Sequence, residues 1–112
     1  MTDRPQVGQR TGPVVVALPA EIDLTNAEQV GAELDAACAS GAGVVIADLT
    51  ATSFCDSAGI RYLLLANDAA TAHEAQLRLA VQPEGMVLRT LTLMGLHRIL
   101  RVHFSLDDAM AA

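Results

Sequence analysis

The chain has 112 residues, enough for one domain with a single core, and its composition is 52% hydrophobic but only 3% aromatic; this excludes a disordered chain and calls for a core of Ala, Val, Leu and Ile. Seven Arg, no Lys and thirteen acidic residues leave a formal charge of −6, which sets the chain against nucleic acid and anionic membranes as partners. No apolar stretch reaches the length of a membrane span or a signal-peptide core, and Cys38 and Cys55 lack metal or CxxC spacing, so a cytoplasmic location, buried free thiols and no cofactor are expected.

Residues 1–12 are polar and punctuated by Pro5, Gly8 and Gly12, an N-terminal segment that holds at most a weak edge strand at residues 6–9. The domain proper spans 13–112. Val14-Val15-Val16-Ala17-Leu18 is an uninterrupted apolar run that suits a central strand covered on both faces. Thr25-Asn26-Ala27-Glu28 has the form of a capping box, which predicts a helix from Thr25 with Ala27, Val30, Leu34, Ala37 and Cys38 on its apolar face, ended by Gly41 and Gly43.

Val44 to Leu49 reads as a second buried strand, followed by a polar connection through Thr50, Thr52 and Ser53. A second helix is predicted from about Ser57, with Ile60, Leu63, Leu64 and Asn67 on one face, widened by Leu65, Ala66 and Ala70, and with Arg61 and Asp68 outward. Leu77, Leu79 and Val81 alternate with Arg78 and Ala80 as a strand does, and Pro83 suits the first position of a third helix carrying Val87, Leu88, Leu91 and Met94. Gly95 ends that helix; Ile99 to His103 form a short strand, and Ser105 caps a final turn with Leu106, Ala109 and Met110 facing inward. Met86 and Met94 read as helix packing, and Arg89, Arg98 and Arg101 as solvated charge. Strands alternating with helices predict an α/β domain, a mostly parallel sheet of four to five strands with four helices.

In such sheets function gathers where a strand hands over to a helix, because helix N-termini present free amides there. Phe54-Cys55-Asp56-Ser57-Ala58-Gly59-Ile60 is that handover, with Ser57 at the helix start and Gly59 leaving room for another molecule's backbone. The plain alternative is that Asp56 or Ser57 is an N-cap and Gly59 incidental. Asp48, at a strand end, either holds this loop or serves as a turn residue.

From Val14 to the C-terminus the chain resembles the STAS family, and within it the bacterial anti-sigma factor antagonists. The resemblance rests on Glu21-Ile22-Asp23-Leu24-Thr25, on Val44 to Leu49 with Asp48, on Phe54 to Gly59, and on Gly95-Leu96 with Phe104 and Ala109. It implies a single STAS-like domain that, unmodified, binds an anti-sigma factor serine kinase and thereby frees a sigma factor. Ser57 would be the phosphorylation site; Asp23, Asp56, Ser57, Ala58, Gly59 and Arg61 would form the contact; a serine phosphatase would reset the switch. The free protein would be a monomer or weak dimer. Ala20 stands where the family commonly has Gly, and Ala58 where a second Ser is common.

Two other readings are weighed against this one. A STAS scaffold or sensor module that binds proteins or a small ligand without phosphorylation shares the fold, yet the chain carries no P-loop. A hydrolase using Ser57 as nucleophile is disfavoured: there is no Gly-x-Ser-x-Gly elbow, and His73, His97 and His103 have no context that identifies a base, so no enzyme is expected.

Overall fold

Backbone pairing follows the apolar runs. The structure is a computed structural model that describes residues 12–112, and the expected weak strand at residues 6–9 lies outside it. Its elements are β1 (Val14–Ala17), β2 (Glu21–Ile22), α1 (Ala27–Cys38), β3 (Val44–Asp48), β4 (Phe54–Cys55), α2 (Ser57–Ala72), β5 (Gln76–Ala80), α3 (Met86–Leu93), β6 (Arg101–His103) and α4 (Leu106–Ala111).

Four strands form one sheet in the order β1-β3-β5-β6, with every pairing parallel. Parallel strands are joined through helices, which cover the sheet and explain why Val45, Ile46, Ala47, Leu77, Leu79 and Ala80 are all fully or almost fully buried. One face carries the main core, into which α1, α2 and α3 send Leu34, Leu63 and Leu91 against Val45, Leu77 and Leu79. Each such side chain contributes about 1.5–3 kcal/mol by leaving water. The other face is thinner: α4 places Ala109 and Leu106 over Ile46, Ala80 and Val44.

Several expectations are corrected. β1 is half exposed, with Val15 open to solvent, so it is not covered on both faces; among the described residues it pairs with β3. The capping box does not form: α1 begins at Ala27, because Thr25 gives its amide and hydroxyl to Asp23 Oδ1 (2.9 and 2.5 Å) and Asn26 bonds back to Glu21 and Asp23. On α2, Leu65 is exposed while Ile60, Leu63, Ala66 and Ala70 are buried. Pro83 lies before α3, which starts at Met86 after Gly85. Met86, Met94 and Met110 are exposed, not packed.

Gly95 does end the third helix, in a left-handed conformation (φ 73°), but the chain then makes a 3-10 turn over Leu96–Arg98 before β6 begins at Arg101. The alternating strand is present as β5, and both of its faces are covered: Arg78 is only 8% exposed and Ala80 is buried, because α4 folds over that side. Cys38 and Cys55 are buried free thiols, and burial, aided by nearby Asp56, pushes the Cys55 thiol up to about 11.

Candidate functional site

Two strands of two residues each build the site. β2 pairs with β4 in parallel, Glu21 beside Phe54 and Ile22 beside Cys55, as a small separate sheet. The pairing continues through the Asp56 amide, which donates to the Ile22 carbonyl at 3.0 Å. It therefore brings the loop that follows Ile22, carrying Asp23 and Leu24, alongside Asp56 and Ser57.

Bonds distant in sequence lock the two loops together. The Ala20 carbonyl accepts from the amides of Ser53 (2.8 Å) and Phe54 (3.4 Å), and the Thr52 hydroxyl donates to the Pro19 carbonyl at 2.8 Å. Only the Ala20 carbonyl is used, and any residue supplies that group. Asp48 behaves as a turn residue, its Oδ1 accepting from the amide and hydroxyl of Thr50.

Asp56 is the N-cap of α2. Its Oδ1 accepts from the amides of Ala58 (2.9 Å) and Gly59 (3.2 Å), two of the donors that a helix start leaves unpaired. Ser57 follows as the first helical residue; it is exposed, and its hydroxyl makes no hydrogen bond among the described residues. Ala58 is half-buried and Arg61 is exposed one turn further on, along the same side of the helix as Ser57.

Asp23 is half-buried, and the Thr25 hydroxyl, with the Thr25 amide, holds its carboxyl below the usual carboxylate range. It stays ionised at neutral pH. The handover thus sets the ionised Asp23 loop beside the capping Asp56, with the exposed Ser57 hydroxyl next in the chain.

Gly59 has a different task from the one expected of it. A Cβ there would stand 2.5 Å from Cys55 Sγ and 2.7 Å from Ile22 Cγ2, so the glycine lets α2 close onto β2 and β4 and leaves no room for another molecule. It is buried. Two apolar side chains stand exposed near this handover, Leu24, 81% exposed beside Asp23, and Phe54 on β4. An apolar residue standing off the periodicity of the helix that follows it was the available signal for Leu24.

His73 caps the C-terminal end of α2, the end opposite Ser57, while His97 lies in the 3-10 turn and His103 in β6, so none belongs to the first turn of α2 or to the β2–β4 pair. The two first-turn amides that could steady an oxyanion are occupied by Asp56. Among the described residues no three His, Cys, Asp or Glu side chains converge as a metal-ligand group, and no helix is long and apolar enough to cross a membrane. An exposed hydroxyl can still accept a group delivered by another protein.

No curated protein sequence matches the chain. Among solved structures, an anti-sigma factor antagonist from Mycobacterium paratuberculosis aligns with a TM-score of 0.81 at 24% identity, over 95% of this chain and 89% of its own. The anti-sigma factor antagonist SpoIIAA in its unphosphorylated form aligns at 0.71 with 23% identity, over 93% and 89% of the two chains. The Bacillus cell fate determinant SpoIIAA in its phosphorylated form aligns at 0.65 with 21% identity, over 95% and 94%. At these identities the likeness establishes the fold. The sequence itself matches the STAS domain family model over residues 4–109. A parallel sheet with helices on both faces, a loop pairing that presents Ser57, and a family match across nearly the whole length agree: the chain belongs to the STAS domain family.

Proposed function

We propose that this domain is an anti-sigma factor antagonist that switches partners, binding an anti-sigma factor serine kinase in the cytoplasm while unmodified and leaving it once Ser57 is phosphorylated. The observation that carries the reading is the placement of Ser57, an exposed hydroxyl at the first position of α2 with Asp56 and the Asp23 loop beside it. The kinase brings its own ATP and catalytic groups. From this chain it needs only an accessible oxygen on a rigid mount.

The physics of release follows from where the charge goes. A phosphoserine adds about −1.5 to −2 charges at neutral pH. Helix N-termini ordinarily welcome an anion, but here Asp56 already holds the amides of Ala58 and Gly59, so the phosphate is left facing the partner. Two like charges about 4 Å apart oppose each other by about 4 kcal/mol at an effective dielectric near 20, before salt and relaxation. A third of that shifts affinity about tenfold. Leu24 supplies the apolar anchor of the contact, with Asp23, Ala58 and Arg61 around it, and a serine phosphatase restores the binding form.

That SpoIIAA is known in both unphosphorylated and phosphorylated forms, and that this fold aligns with both, supports the reading. The test is incubation with the cognate kinase and ATP, followed by mass spectrometry and affinity measurement. Ser57 is expected to be the modified residue, Ser57→Ala to bind without being modified, and Ser57→Glu to bind about tenfold more weakly. Modification elsewhere with Ser57 untouched, or equal affinity of the modified and unmodified forms, overturns it.

A further inference from the structure

We infer that the sheet carries a second site, on the α4 face near the N-terminal ends of β5 and β6, for a small multiply charged oxyanion such as a diphosphate or phosphate ester. The register sets it up. Arg78 on β5 stands directly beside Arg101 on β6, and the period of two puts Gln76 and His103 on the same face. Like charges side by side on neighbouring strands are destabilising unless something negative lies between them.

Arg78 is only 8% exposed, and an arginine so buried is ordinarily paired with an acid. Its hydrogen bonds go to neutral acceptors, from Nε to Gln76 Oε1 and from Nη1 to the Ala109 carbonyl, both 2.7 Å. Among the described residues neither it, Arg98 nor Arg101 has a carboxylate partner, although the chain holds thirteen acidic residues. These three arginines, with His97 and His103, line one open depression of about 510 Å³. Among the described residues no Asp or Glu lines it.

That volume suits a small molecule. Guanidinium forks match phosphate oxygens bidentately; Arg98 and Arg101 line the depression with uncommitted guanidinium groups, and Arg78, engaged through Nε and Nη1, adds its charge, a set that selects a compact, highly charged anion over a single carboxylate. The net charge of −6 does not oppose this, since exposed charges beyond a Debye length of about 8–10 Å are screened at physiological salt. Ser57 lies elsewhere: α2 begins beyond the C-terminal end of β3 and packs on the opposite face of the sheet. The site is therefore separate from the switch, and its test does not depend on the proposed function.

Inorganic pyrophosphate is the probe, with phosphate, citrate and poly-glutamate as comparisons, followed by calorimetry and by amide chemical shifts of the full chain. Pyrophosphate is expected to bind more tightly than citrate and to shift amides at Gln76, Arg101 to His103 and Ala112. Arg98→Gln and Arg101→Gln, both at exposed positions, are each expected to weaken it about tenfold without changing the melting temperature. Absence of binding in the millimolar range, affinity indifferent to both substitutions, shifts confined to Asp56 to Gly59, or binding of poly-glutamate but not pyrophosphate would each overturn the site.

Discussion

Asp56 combines a structural and an electrostatic role in one side chain, and the two can be separated. Its Oδ1 caps α2 by accepting from Ala58 and Gly59, while the carboxylate charge stands next to the hydroxyl that the proposed kinase modifies. Asp56→Asn keeps an acceptor oxygen in the same place and removes the charge; Asp56→Ala removes both. Loss of an N-cap costs about 0.5–2 kcal/mol, so Asp56→Ala is expected to lower the melting temperature by roughly 4–8 °C per kcal/mol lost, whereas Asp56→Asn stays close to the parent. Partner binding should sort them differently. If docking a partner takes the Asp56 carboxylate and the phosphate out of water together, so that their repulsion is stronger in the complex than in the free domain, Asp56→Asn narrows the affinity gap between unmodified and phosphorylated protein, although it leaves stability alone. Thermal unfolding and affinity measured on both variants check this, and an unchanged gap in Asp56→Asn would place the repulsion on the partner's side or on Asp23.

At the scale of elements, the site depends on how closely α2 can approach the β2–β4 pair, and Gly59 sets that distance. Gly59→Ala introduces a Cβ at 2.5 Å from Cys55 Sγ and 2.7 Å from Ile22 Cγ2, contacts that real side chains do not make. Overpacking of this kind costs about 1–3 kcal/mol. A urea titration should show that loss in Gly59→Ala and partial recovery in Gly59→Ala with Cys55→Ala, since the second change removes the sulfur. Full stability of the single variant would mean that α2 is not seated on the pair. The same elements explain what could be read in advance. Both long helices and β3 and β5 were legible, because a period of 3.6 or an unbroken apolar run persists long enough to stand out. β2 and β4 were not, since two residues carry no periodicity, and their pairing is what brings the Asp23 loop beside Asp56 at the start of α2. The start of α1 was misplaced because Asp23, two residues upstream, outcompetes the helix for Thr25. The burial of Arg78 was not legible, because alternation along β5 cannot tell that a later helix, α4, covers that face. Ser57 at the start of α2 was legible from local chemistry; the inward task of Gly59 was not, because it depends on Ile22, a residue far away in the chain.

For the molecule as a whole the question is whether modification alters the fold or only its surface. Ser57 lies outside both hydrophobic clusters, and the loops around it are tied by bonds from Ala20, Thr52 and Asp56 that do not pass through its side chain. Adding a phosphate there exposes no buried surface and breaks no hydrogen bond of the described chain. What changes is charge, on a protein already at −6, and at the positive end of a helix whose dipole offsets part of it. The net effect on folding should stay within about 1 kcal/mol, the range of an exposed charge at a helix terminus. Phosphorylated protein and Ser57→Glu are therefore expected to unfold in urea with the parent's midpoint to within that margin and with the same m-value, because m tracks the surface exposed on unfolding. Partner affinity should fall in the same samples. A drop in m on phosphorylation would mean that the modified domain loosens, and release would then come from loss of the docking shape instead of from charge on a surface that keeps its shape.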